Sequence, residues 1–105
     1  MARAPEPPPR EVIRLDRWLY HARFFRSRAI ASALVSKGRV RVNGDKAARP
    51  SRMVGERDVL TFPQAGEIRV IRVLAPGTRR GPASEARALY EDLDAPAVEA
   101  PDALE

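Results

Sequence analysis

An α+β fold is predicted for this 105-residue chain by two changes of rhythm and by where its apolar residues lie. From Leu15 to Val35 apolar side chains recur every three or four positions, the period of a helix. After Gly38 they alternate with arginines, the period of a strand with one buried face. Twenty of the 24 Leu, Ile, Val and Phe residues fall between Val12 and Leu74, so a single small core is expected there.

Leu15, Leu19 and Ala22, with Trp18 beside them, describe a first helix over about Leu15 to Arg23, and Asp16 in its first turn suits the positive end of the helix dipole. Ser27 offers an N-cap hydroxyl to a second helix whose apolar stripe is Ile30, Ala31, Leu34 and Val35. That helix stops at Gly38, which takes a left-handed cap without strain. The link from Phe24 to Arg26 is too short to hold the helices apart, so they must touch, with Phe24 or Phe25 wedged at the corner. Arg39 to Val42 then reads as a strand with valines inward and arginines outward, ending at the hairpin turn Asn43-Gly44. Val59 to Phe62 and Ile68 to Leu74 are further strands separated by a turn at Pro63 to Gly66, so the two short helices pack on a small antiparallel sheet. Gly77 to Pro82 is a basic, breaker-rich loop, and Ser84 to Leu93 reads as a short helix with Ala86, Leu89, Tyr90 and Leu93 on one side. The organisation expected is a proline-rich disordered arm (1–11), a folded unit (12–75), a basic loop with a short helix (76–93) and a disordered acidic tail (94–105).

Charge is distributed unevenly. Eleven basic and two acidic residues between Val12 and Arg52 give that stretch a net +9, whereas one base and seven acids from Gly81 onward give −6. Seventeen of the 19 basic residues are arginines, whose planar forks pair with two phosphate oxygens at once. Two acids cannot neutralise eleven bases, so this half of the chain seeks a polyanion. Arg23, Arg26, Ser27 and Arg28 cluster at the start of the second helix, where free backbone N–H groups also favour anions. Arg14 and Arg17 flank the start of the first helix, Arg39 and Arg41 share one face of the strand, and Lys46, Arg49 and Arg52 follow the hairpin.

Other chemistries are poorly supplied. With no cysteine there is no disulfide, thiolate zinc site or thiol nucleophile. His21 is the sole histidine, its expected role is packing or surface, and no nucleophile elbow, zincin or phosphate-loop motif occurs. Neither an enzyme, a metal site nor a cofactor is expected. No stretch approaches the length of a membrane span or has the apolar run of a signal peptide, so the expectation is a cytoplasmic monomer without membrane contact.

The run RLDRWLYHARFFRSRAIASALVSKGRVRVNG from Arg14 to Gly44, followed by Arg49-Pro50-Ser51, closely resembles the S4-type RNA-binding domain, with its paired helices and small sheet, over about Ile13 to Leu60. The later IRVLAPGTRRGPASEARALYEDL is similar to the downstream segment of the bacterial heat shock protein 15 family. The resemblance implies a non-enzymatic protein that binds structured ribosomal RNA on large ribosomal subunits, with peptidyl-tRNA as a further candidate partner, in rescue or recycling of stalled subunits. Matched residue by residue, RNA contacts fall on Arg14, Arg17, Arg23, Arg26, Ser27, Arg28, Arg41, Asn43, Lys46, Arg49 and Ser51. Asp16 is read as orienting its basic neighbours, because a bare carboxylate repels phosphate. Arg57-Asp58 stands where the family often has Gly-Asp, which places a side chain where a positive φ is wanted. Longer relatives continue into a basic extension where this chain is acidic, so contacts of that extension are not carried over. The alternatives are an accessory RNA-binding subunit of an RNA-modifying enzyme and a helix-turn-helix DNA-binding protein.

Overall fold

In the computed structural model, which describes residues 10–94, the first two predicted helices and the small antiparallel sheet are present, with the strand expected over Arg39–Val42 confined to Arg41–Val42. The predicted arm and tail fall mostly at 1–9 and 95–105, outside the described residues. A short strand β1 (Val12–Arg14) runs directly into α1 (Leu15–His21), followed by α2 (Arg28–Ser36). Then come β2 (Arg41–Val42), β3 (Asp45–Lys46), β4 (Met53–Gly55), β5 (Val59–Gln64), β6 (Glu67–Val73), α3 (Ala83–Arg87) and β7 (Tyr90–Asp92). One antiparallel sheet has the order β3-β2-β5-β6-β7, and β1 pairs with β4 as a separate two-stranded ribbon.

Local chemistry fixes the helix ends. The Ser27 hydroxyl accepts the Ile30 amide at 3.1 Å, capping α2 as the sequence indicates. At the other end Gly38 adopts φ +76°, its amide reaches Val35 O at 2.9 Å, and the Arg39 amide reaches Leu34 O at 3.2 Å; this paired closure needs a left-handed residue at 38. α1 ends earlier than predicted because Arg23 itself turns left-handed, φ +66°, and swings the chain into the corner. Phe24 fills that corner, 5.1 Å from the Phe62 ring, 4.6 Å from Tyr90 and 6.0 Å from Trp18.

Between helices and sheet lies one core, including Leu15, Trp18 and Leu19 of α1, Ala31 and Val35 of α2, and Val42, Leu60, Phe62, Ile71 and Val73 of the sheet. The β2–β3 hairpin turns through Asn43 (φ +53°) and Gly44 (φ +89°), the two-residue geometry that matches strand twist. The β5–β6 turn is Ala65-Gly66 rather than the whole Pro63–Gly66 stretch, and Pro63 stays in its strand. β2 accompanies only Leu60 and Thr61, so the missing N–H of Pro63 faces an unpaired edge and no ladder bond is lost.

The predicted Ser84–Leu93 helix requires correction. α3 ends at Arg87, and Tyr90–Asp92 pairs with β6 as β7. A helical period cannot outweigh an open sheet edge that supplies backbone partners and two cross-strand ion pairs, Arg72 to Glu91 and Arg69 to Asp92, both 2.8 Å.

The segment after β6 crosses the helix corner as a strap. Trp18 Nε1 donates to Ala75 O (2.9 Å), His21 Nδ1 lies 3.5 Å from Pro76 O, and Arg23 donates to Gly81 O (2.9 Å). The Arg80 guanidinium stands 4.8 Å from the Tyr20 ring centroid and points an N–H at Phe25 O. No helix of the described residues is long and apolar enough to cross a membrane, and among them no group of acidic or histidine side chains could hold a metal ion.

Candidate nucleic-acid interface

Asp16 organises the basic surface. Its carboxylate is almost wholly buried at the start of α1 and takes a two-point hydrogen bond from Arg14, Nε to Oδ1 at 3.0 Å and Nη2 to Oδ2 at 2.9 Å. Arg28, at the start of α2, approaches the same carboxylate at 3.9 Å. Burial alone would push Asp16 up; the Arg14 hydrogen bonds and the charges of Arg14 and Arg28 outweigh it and hold the carboxyl below its ordinary range. One acid thus aligns two arginines from different elements and leaves net positive charge outside.

The first amides of α1 are also used to assemble the surface. Leu15 N–H goes to Arg52 O at 2.8 Å and Asp16 N–H to Pro50 O at 3.2 Å, which docks the 49–52 loop beside Arg14. In that loop Arg49, Ser51 and Arg52 line, with Lys46 and Ala48, a cleft of about 360 Å³. Arg52, outside the motif-matched set, is brought in by this docking, which no local pattern announces. Lys46 lays its methylene stem over Gly38, and its cross-strand partner is Arg41. Like charges directly opposite repel, so an anion between Arg41 and Lys46 relieves a cost already present in the free protein. The amides of Arg28 and Ala29, in the first turn of α2, find no acceptor among the described residues.

Not every predicted contact joins this patch. Arg17 lies on another side of α1, in a cleft shared with Val12, His21 and Pro76. Burial, together with the charges of Arg17 and Arg28, holds His21 below its ordinary value against the pull of the Pro76 carbonyl, so its ring is neutral and packs. Arg26 is exposed in the helix link, with no carboxylate in ion-pair reach among the described residues. Arg23 faces away, toward Gly81 and α3, because of its left-handed turn.

Asn43 is committed internally. Its Nδ2 donates to Asp58 Oδ1 at 3.0 Å and its Oδ1 accepts the Val59 amide at 2.9 Å. Asp58 is buried and also accepts from Gly55 N–H at 2.9 Å and Arg10 at 3.1 Å. Burial raises its titration, and these donors together bring it below the ordinary carboxylate range. Arg57, beside it, has φ +81°, the positive angle expected from the family's glycine.

Acids of the C-terminal stretch neutralise three arginines: Arg69 with Asp92, Arg72 with Glu91, and Arg79 with Glu85 at 2.7 Å. Among the described residues no such partner lies near Arg41, Lys46, Arg49 or Arg52. These four cations therefore stand unpaired on the hairpin and the 49–52 loop.

Residues 13–60 match the family model described as "S4 domain". The chain is 40% identical over 84 residues to heat shock protein 15 of Escherichia coli K12, covering 80% of this chain and 62% of that protein. It is 35% identical over 82 residues to the heat shock protein 15 homolog of Haemophilus influenzae, covering 78% and 62%. The chain thus spans about 62% of the length of these relatives. Among solved structures, Vibrio cholerae heat shock protein 15, described as trimeric, superposes with a TM-score of 0.75 at 34% identity, over 80% of this chain and 84% of that one.

Proposed function

The chain belongs to the heat shock protein 15 family of S4-domain proteins, and from that footing we propose that it is a non-enzymatic RNA-binding protein that engages structured ribosomal RNA. Its target is the large ribosomal subunit carrying a stalled nascent chain on tRNA, and its role is rescue or recycling under heat stress. The observation that carries the reading is that bases from separate parts of the chain, Arg14, Arg28, Lys46, Arg49 and Arg52, gather beside a single carboxylate, Asp16, which pairs with Arg14 and Arg28 only. Shape and phosphate contacts suit this surface better than base reading, since Asn43, its one amide, is already occupied by Asp58 and Val59.

The patch is complete within one chain, so a monomer is proposed as the binding unit. The Vibrio cholerae relative is described as a trimer, and sedimentation of the chain with and without RNA distinguishes the two. With about five phosphates neutralised, affinity for large-subunit ribosomal RNA should fall on the order of 10²- to 10³-fold between 50 and 200 mM salt. Arg28→Ala should weaken binding and reduce the salt slope by about one, whereas Arg72→Ala, already paired with Glu91, should do neither. A flat salt response, or equal losses in the two variants, overturns the reading. Crosslinking in cells should recover large-subunit RNA together with tRNA, and recovery of messenger RNA alone would refute the rescue role.

A further inference from the structure

Resting on the RNA-binding reading above, we propose that the cleft between the helix corner and α3 is a second phosphate-binding site, separate from the Asp16 patch and built by Arg23, Arg69 and Arg87. The cleft encloses about 270 Å³, near the lower end of ligand-sized pockets, and all three guanidinium-bearing residues line it. They come from distant parts of the chain, so the fold, not a run of basic sequence, brings them together. Arg69 forms a fixed wall: it lies 5.2 Å over the Phe24 ring and donates to Gln64 Oε1 at 2.6 Å and Asp92 Oδ2 at 2.8 Å. Asp92 neutralises that wall. Arg23 donates to the uncharged Gly81 carbonyl, and Arg87 stands exposed at the last turn of α3; neither has a carboxylate within ion-pair distance among the described residues. Two uncompensated cations thus face a concave surface with a third guanidinium already ordered.

The donor balance selects phosphate. Arg23 and Arg87 offer more N–H groups than a carboxylate can accept, in the fork geometry that suits phosphate oxygens. The Gln64 amide, which could otherwise read a base edge, is already committed: its Oε1 takes Arg69 and its Nε2 donates to Phe24 O at 2.6 Å. In this proposal the cleft holds a phosphate of the RNA backbone, a contact that positions the strand.

The test uses the full chain and an in vitro transcript of large-subunit ribosomal RNA. Arg87→Gln should make the salt slope shallower by about 0.9, a difference of about 3-fold in affinity change between 50 and 200 mM salt. Arg79→Gln removes a charge from the same end, but its guanidinium is already given to Glu85, so its slope should equal that of the unaltered chain. Arg28→Gln should lose as much as Arg87→Gln, and the double variant should lose both increments. Inorganic phosphate at constant ionic strength should move the Ala86 and Arg87 amide resonances of the unaltered chain and not of Arg87→Gln. If Arg87→Gln behaves like Arg79→Gln while Arg28→Gln is impaired, the second site is wrong and the RNA reading stands. If phosphate moves those resonances yet Arg87→Gln binds RNA normally, the cleft takes a free anion and the proposal is again overturned. If Arg28→Gln is also unaffected, the RNA reading itself fails.

Discussion

Replacing Arg57 by glycine should stabilise the protein, by an amount that follows from one backbone angle. Arg57 is held at φ +81° by its own amide, which reaches Val73 O at 2.8 Å, and by the return bond from Val73 N–H to Asp58 O at 2.8 Å. Buried Asp58 then locks the next residue through its three donors. A left-handed residue with a side chain costs about 1–2 kcal/mol, of which glycine returns about 0.5–1 kcal/mol through its freer unfolded state, leaving a net gain of about 0.5–1 kcal/mol. For a domain of this size that raises the melting temperature by about 2–8 °C. Arg57→Ala is the control. It removes the exposed guanidinium but keeps the strained angle, so its melting temperature should match that of the unaltered chain. Circular dichroism melts of all three proteins at neutral pH decide. Arg57→Gly and Arg57→Ala melting together would show that the backbone angle carries no cost and would refute the reasoning.

Acid stability and the hairpin lock give two more expectations. Asp16 and Asp58 titrate below the ordinary range when folded, so the stability they supply is present above the unfolded value of about 3.9 and is lost as pH falls through their lower folded values. The urea midpoint should therefore decline below about pH 5, and Asp58→Asn should flatten that decline; an identical acid limb in the variant contradicts the assignment. Asn43→Gly keeps the turn but strips one donor from Asp58 and an acceptor from Val59, at a cost of about 1–3 kcal/mol, while Asn43→Ala adds strain at φ +53° and should be less stable still by chemical denaturation. RNA affinity of folded Asn43→Gly should be unchanged, and a loss would mean that Asn43 reaches the RNA.

What the sequence reveals here is the chemistry that acts over a few residues. The Ser27 cap, the Gly38 closure and the Asn43-Gly44 turn are each decided by a side chain or a positive φ within one turn of chain, and each is found where its residues indicate. Elements that depend on distant partners stay hidden. Tyr90–Asp92 has a helical pattern and becomes a strand because β6 offers an open edge, and β1 and β4 are three-residue strands whose partners lie about forty positions apart. The basic surface divides in the same way. Its composition is plain in the sequence, and so is the orienting potential of Asp16, but the docking of Arg49 to Arg52 onto α1 rests on backbone bonds that no residue type encodes. Arg23 sits close to Arg26 and Arg28 in sequence and still faces elsewhere, since a single left-handed residue redirects it.

The S4 match stops at residue 60, yet the strap that holds the helix corner begins at Ala75. Excising the matched segment would leave the Trp18 indole N–H without its acceptor in the core and remove the support behind Tyr20, Arg23 and Phe25. The sequence motif is thus smaller than the unit able to stand alone, and a graft of residues 13–60 into another protein needs that host to provide a substitute brace.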